Sequence, residues 1–144
     1  MLKKIFLIII SSVIIINNSF AQNNIYIYAS INENIITNFD ILKESEYLKI
    51  LNPNLEKLNK EKIFKLSKKF LIKEIIKKSE ISKILDLNTE NGYVEDHFKN
   101  LYTRLNFVNE NEFKSYLLSS SNYSIEEIKQ KLKIEIMWNE LIYS

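Results

Sequence analysis

The sequence lacks cysteine and holds one glycine, one proline and one histidine in 144 residues. Without cysteine the chain has no disulfide, no thiolate metal ligand and no residue for a lipobox anchor. All-β folds with many tight turns normally use more glycine and proline than this. The scarcity of both residues therefore predicts a largely helical chain.

Residues 1–21 have the pattern of a secretory signal peptide. Two lysines precede twelve residues, Ile5–Ile16, that are apolar except for two serines. Ser19 and Ala21 are the small residues that a signal peptidase reads, so we expect a mature chain that begins at Gln22. Twelve helical residues span about 18 Å, short of the roughly 30 Å hydrocarbon core. A signal-anchored interaction domain is therefore the weaker alternative.

The mature chain, residues 22–144, is long enough for one domain with a modest core. Cleavage removes two lysines and no acidic residue, so 18 basic side chains remain against 18 acidic ones. A formal charge of zero argues against nucleic-acid binding, which normally needs a basic surface.

The start of the mature chain predicts a β-hairpin. From Ile25 to Ile31 apolar residues alternate with Tyr26, Tyr28 and small or polar residues, which is the period of a half-buried strand. Residues 32–34 favour a turn, and 35–36 return as a short second strand. This period places the isoleucines on one buried face and the two tyrosines on the other.

About five helices are predicted to follow, which gives a mainly α fold. The first is capped by Thr37 and ends before Pro53. Its predicted core residues are Ile41, Leu42, Ser45, Leu48 and Leu51. A longer central helix is predicted over 55–78, and two shorter helices come next. Ser124 and Glu127 form a capping box for the last helix.

The last helix is very apolar at its C-terminal end. The apolar residues there are Ile134, Ile136, Met137, Trp138, Leu141, Ile142 and Tyr143. Such a face should be covered. Three explanations are open: burial in the domain's own core, a partner in another chain, or a sequence that is cut short. We favour the last two together. The partner would be a C-terminal segment supplied in trans or a second copy that associates through this helix.

The hairpin segment Ala29–Ile41 resembles the N-terminal domain of the SurA family of periplasmic chaperones. Members of this family begin with a signal peptide and a short hairpin. A capped helix comes next, and then a long helix similar to the one through Phe70–Ile76. Its closing helix is similar to Ser124–Trp138. The resemblance implies a periplasmic holdase that binds unfolded outer-membrane polypeptides and assists their folding and assembly.

Full-length members of that family continue into parvulin-type prolyl isomerase domains, which are rich in glycine and lined with histidine. Gly92 and His97 are the only residues of these types here. Isomerase activity is therefore not expected of this chain. Two alternatives stay open: the leading fragment of an isomerase whose parvulin domain is absent, and a standalone domain with its partner in trans.

The candidate client contacts are Tyr26 and Tyr28 on the first strand and Trp138 and Tyr143 on the last helix. Outer-membrane strands alternate apolar and polar residues and are rich in aromatics, so aromatic and aliphatic side chains suit them. The sequence has no glycine-rich phosphate loop and no metal-ligand spacing. We expect no catalytic residue, cofactor or metal, and we expect His97 to face solvent.

Overall fold

The computed structural model describes residues 24–143, so the predicted cleavage site at Ser19, Ala21 and Gln22 lies outside the described residues.

An antiparallel hairpin, β1 (Ile27–Ile31) and β2 (Asn34–Thr37), comes first. The helices that follow are α1 (Asn38–Leu51), a 3-10 helix (Pro53–Lys57), α2 (Lys60–Ile81), α3 (Tyr93–Arg104), α4 (Glu110–Ser120) and α5 (Ile125–Tyr143). The predicted mainly α fold with an N-terminal hairpin is confirmed. None of the helices within 24–143 has both the length and the apolar character to cross a membrane.

Reciprocal caps set the start of two helices. The Asp40 N–H donates to Thr37 Oγ1 at 3.3 Å, and the Thr37 N–H donates to the Asp40 carboxylate at 2.7 Å. Glu127 and Ser124 make the same exchange at the start of α5, at 3.2 and 2.9 Å. Each exchange satisfies backbone N–H groups that a helix leaves without partners. Both helices therefore begin where the sequence predicted.

The long helix begins and ends later than predicted. After α1 stops ahead of Pro53, as expected, the proline starts the separate 3-10 helix instead of leading directly into α2. The Asn59 side chain then accepts the Lys62 N–H at 2.9 Å and caps α2. Asparagine is among the strongest N-caps. The predicted span of 55–78 is therefore corrected to Lys60–Ile81.

The main core lies among α1, α3, α4 and α5 and is rich in aromatic rings. Phe113 is fully buried, and its ring centroid lies 5.1 Å from that of Phe107, 5.9 Å from that of Phe98 and 6.5 Å from that of Tyr102. Other buried members are Tyr47, Leu48, Ile50, Leu101, Leu117, Tyr123, Ile125 and Ile128. Rings at such distances and tilts pack well and bury much apolar area.

One predicted core residue of α1 lies on the surface. Ile41, Ser45 and Leu48 are buried as predicted, but Leu42 is 50% exposed. The buried arc instead widens to include Glu44, Tyr47 and Ile50, because α1 packs against α2 on one side and takes part in the core with α5 on the other.

A second apolar cluster joins the end of α2 to the second half of α5. Its members are Ile81, Ile134 and Met137, which are buried, and Leu87, Trp138 and Leu141, which pack against them. The first part of this apolar stretch, as far as Trp138, is therefore at least partly covered within the domain, and Leu87 from the segment after α2 contributes to that packing. Ile142 and Tyr143 remain exposed, and for them a partner in trans stays a prediction.

Replacing Phe113→Ala should lower the free energy of unfolding by about 3–5 kcal/mol, because the substitution leaves a cavity among four aromatic neighbours. Leu118→Ala on the same helix is the matched control. Its side chain is exposed, so the change should stay within about 0.5 kcal/mol. Urea unfolding measures both values, and equal effects of the two substitutions would contradict this core.

Candidate functional site

The N-terminal hairpin exposes several apolar side chains together. Ile25, Tyr26 and Ile27 are 69%, 55% and 66% exposed, and Ile35 on β2 is 58% exposed. Single exposed apolar residues are normal on soluble proteins, whereas a group of them marks an interaction surface. We call Ile25, Ile27 and Ile35 the outer face of the hairpin.

A β-bulge explains why isoleucines that were predicted to be buried are exposed. Ile27 lies opposite Thr37, but Ala29 lies opposite Ile36, so β1 uses two residues where β2 uses one. One inserted residue reverses the alternation of side chains between faces. Ala29 therefore joins the buried face of Ile36, and Ile27 shares the outer face with Ile35. The prediction of one buried isoleucine face is wrong before the bulge.

The bulge also separates the two strand tyrosines that were predicted as contacts. The Tyr28 ring packs edge-on against Phe64 of α2, with centroids 5.0 Å apart. Lys68 Nζ donates to the Tyr28 carbonyl at 3.1 Å and lies 5.9 Å from its ring centroid. Tyr28 is thus partly used to hold the hairpin on α2, whereas the Tyr26 ring is more open to solvent.

Asn38 holds the segment before β1 in an extended form. Its side-chain oxygen accepts the Tyr26 N–H at 2.8 Å, and its own N–H donates to the Tyr26 carbonyl at 3.0 Å. Its Nδ2 also donates to the Asn24 carbonyl at 3.1 Å. These bonds tie the segment to the start of α1, so the exposed side chains of Ile25 and Tyr26 stand on a fixed backbone.

The other two predicted contacts lie on α5, apart from the packing around Tyr28. Trp138 is half-buried in the second cluster, and Lys77 Nζ lies 5.9 Å from its ring centroid. Tyr143 is almost fully exposed at the end of α5. The structure therefore leaves Tyr26 and Tyr143 open to a partner and uses Tyr28 and Trp138 partly for packing.

A buried ionic junction connects α1, α2 and α5. Lys131 Nζ lies 2.7 Å from Glu44 Oε2, pairs also with Glu74, and sits 4.6 Å from the centroid of the Tyr47 ring. Glu44 is 2% exposed. This junction is not among the sites predicted from the sequence, although the sequence carries one signal for it. Glu44 lies three residues after Ile41 on the predicted core face of α1, where a charge needs a partner.

A cleft of about 790 Å³ opens beside this junction. Its lining includes Asp40, Glu44, Glu74, Lys78 and Lys131. A carboxylate in such a cleft is a candidate for proton transfer. Within residues 24–143, however, every buried side-chain nitrogen and oxygen has a hydrogen-bond partner. The junction is therefore a satisfied structural contact of three helices.

Burial and charge shift several pKa values around this cleft. Burial raises the pKa of Glu44, Lys131 opposes that rise, and the Glu74 carboxylate adds to it. Burial also raises the pKa of the Tyr47 and Tyr123 phenols, so both stay protonated. At the start of α5 the pKa of Glu127 is instead lowered, chiefly by the hydrogen bond from Lys43.

The described residues show no arrangement for metal or histidine chemistry. No group of three or more His, Asp or Glu side chains within 24–143 is placed to hold a metal ion. His97 is exposed on α3, as predicted.

Glu44→Gln should remove a pH dependence of stability. Because the folded-state pKa is raised, the contribution of Glu44 to the free energy of unfolding is present below the unfolded pKa of about 4.3 and lost as the pH rises through the folded pKa. The free energy of unfolding of the variant minus that of the wild type should therefore increase with pH, by about 1.4 kcal/mol per pKa unit. Urea unfolding from about pH 4 to about pH 7 tests it; a flat or falling difference would contradict the raised pKa.

Glu127→Gln should show the opposite trend and serves as the paired control. Its folded-state pKa is lowered, so its contribution is present above the unfolded pKa of about 4.3 and lost as the pH falls through the folded pKa. The variant should be less stable than the wild type near neutral pH, by a few tenths of a kcal/mol because this ion pair is partly exposed. The deficit should disappear in acid, and the same urea series measures it.

Comparison with known proteins finds no relative of this chain. No protein-family model matches it, and no curated protein or solved structure gives a significant match. A functional proposal therefore depends on the residues and contacts of the chain itself.

Proposed function

We propose that this protein is a periplasmic holdase, which binds unfolded outer-membrane polypeptides and prevents their aggregation. The observation that carries the proposal is the outer face of the hairpin, where Ile25, Ile27 and Ile35 are each more than half exposed next to Tyr26. Apolar surface on a folded domain favours binding of apolar surface on another chain.

The expected clients fit this surface chemically. Outer-membrane strands alternate apolar and polar residues and carry aromatic girdles, so an unfolded one offers rows of apolar side chains at strand spacing. The segment 24–32 contains no charged residue, so its exposed isoleucines and Tyr26 can contact a client without desolvating a charge of the segment. Phe39 and Leu42, both partly exposed at the start of α1, add further apolar area.

The way the hairpin is attached suits a surface that binds and releases. Asn38 fixes one side of the exposed segment, and the contacts of Tyr28 with Phe64 and Lys68 fix the hairpin to α2. A rigid surface loses little conformational entropy when it binds. The exposed apolar group is also small, so each contact is weak and reversible.

Two features of the sequence support the same assignment. The predicted signal peptide, residues 1–21, directs the chain out of the cytoplasm. The hairpin segment Ala29–Ile41 resembles the N-terminal domain of the SurA chaperones. Together they favour the periplasm and a client that crosses it.

The test is aggregation of an unfolded outer-membrane β-barrel, followed by light scattering with and without the purified protein. We expect suppression at a near-stoichiometric ratio. Ile25→Ser/Ile27→Ser should weaken it about tenfold, because about 1–2 kcal/mol of apolar contact is lost. Tyr28 is unsuitable for substitution, since it packs on Phe64.

Leu118→Ser is the matched control, because Leu118 is also exposed but lies on α4. It should suppress aggregation like the wild type. Absence of suppression by the folded wild type would overturn the holdase proposal. Equal suppression by the wild type and the double variant would keep a holdase but remove the hairpin from its binding surface.

A further inference from the structure

We propose that two copies of this chain associate through the edge of the hairpin, with Ile25–Ile27 of each copy paired antiparallel. We call Ile25–Ile27 the edge segment. The inference does not depend on the holdase proposal, because it rests on the direction of backbone groups and on the order of residues in the segment.

The edge segment has backbone groups that face away from β2. Asn38 makes hydrogen bonds with the carbonyl of Asn24 and with both the N–H and the carbonyl of Tyr26. It makes none with the backbone of Ile25, which lies between them. In an extended chain the N–H and C=O groups of successive residues point to opposite edges. Those of Ile25 and Ile27 therefore point outward. Within residues 24–143 the sheet consists of β1 and β2 alone, so no further strand covers this edge.

This edge lacks some of the features that prevent strand pairing. Proteins protect edge strands with charged side chains, proline, covering elements, short strand length or bulges. Here the bulge at Tyr28 limits the length of the edge and does not close it at Ile25–Ile27. Residues 24–32 contain no charged residue and no proline, and the side chains of the edge segment are more than half exposed. A second copy therefore meets no charged side chain and no proline from the segment itself.

The order of residues makes a second copy the occupant that fits. Ile25-Tyr26-Ile27 reads the same in both directions. Antiparallel pairing about a two-fold axis at Tyr26 puts Ile25 of each copy opposite Ile27 of the other copy. Ile25 and Ile27 are also the residues whose backbone groups point outward. The two Tyr26 rings then lie opposite each other on the other face. Aliphatic and aromatic cross-strand pairs of this kind stabilise antiparallel sheets.

The pairing is limited to this short segment. The next residue, Tyr28, forms the bulge, and its carbonyl already accepts a hydrogen bond from Lys68. Because the open edge ends there, the buried area is small and the dimer should form only at high protein concentration. The result is a closed, isologous pair that joins two hairpins into one four-stranded sheet.

The chain contains no cysteine, so one introduced cysteine reports the pairing without background. We would express the Tyr26→Cys variant from the full sequence and purify it. Under mild oxidation it should form disulfide-linked dimers at least about tenfold faster than the Leu118→Cys variant. Directly opposite, non-hydrogen-bonded residues have Cβ atoms about 4.5–5.5 Å apart, near disulfide reach. The control residue Leu118 is exposed on α4.

Sedimentation of the cysteine-free protein gives the second measurement. The wild type should show dimers whose fraction rises with concentration, and Ile27→Lys should weaken the dimer about tenfold or more because it places a charge at the edge. Circular dichroism checks that this variant is folded. A wild type that stays monomeric, or equal oxidation rates for the two cysteine variants, would overturn the inference. The inference would also be overturned if the Tyr26→Cys variant formed disulfide-linked dimers only when an unfolded client is present.

Discussion

The relative position of three helices depends on one lysine. Lys131 of α5 lies between Glu44 of α1, which is buried, and Glu74 of α2, which is partly exposed. A buried charge without a partner costs several kcal/mol, so the junction is satisfied only when both carboxylates are in place. The apolar clusters around Phe113 and around Ile81 hold the helices through contacts that have no preferred direction. We interpret the junction as the contact that fixes their register.

The sequence predicted the features that local interactions decide and missed those that depend on tertiary contacts. The starts of α1 and α5 follow from capping boxes within four residues of chain, so Thr37 and Ser124 were identified. The exposure of Ile27 follows from one bulge residue, and the partial burial of Trp138 follows from its packing in the second apolar cluster, which includes Ile81 and Leu87. The junction at Lys131 was missed because nothing in a single sequence pairs residues that lie far apart along the chain.

The bulge couples the attachment of the hairpin to its exposure. It turns Tyr28 towards Phe64 and Lys68, which anchors β1 on α2. The same reversal leaves Ile25 and Ile27 facing outward. A strand with regular alternation would bury its isoleucines and present its tyrosines to solvent. The apolar surface is thus a consequence of how the hairpin is held, and it cannot be removed by a small rotation of the strand.

An exposed, uncharged edge is usually a risk of aggregation, because each added strand presents a new edge to the next one. Here two contacts limit that growth. Asn38 occupies the inner side of Tyr26, and Lys68 occupies the carbonyl at the bulge. One partner strand, from a client or from a second copy, therefore uses all the outward groups of Ile25 and Ile27. If that partner is a second copy, both open edges are used at once and the assembly ends at two. A client strand that pairs with this edge and a second copy would then compete for the same three residues.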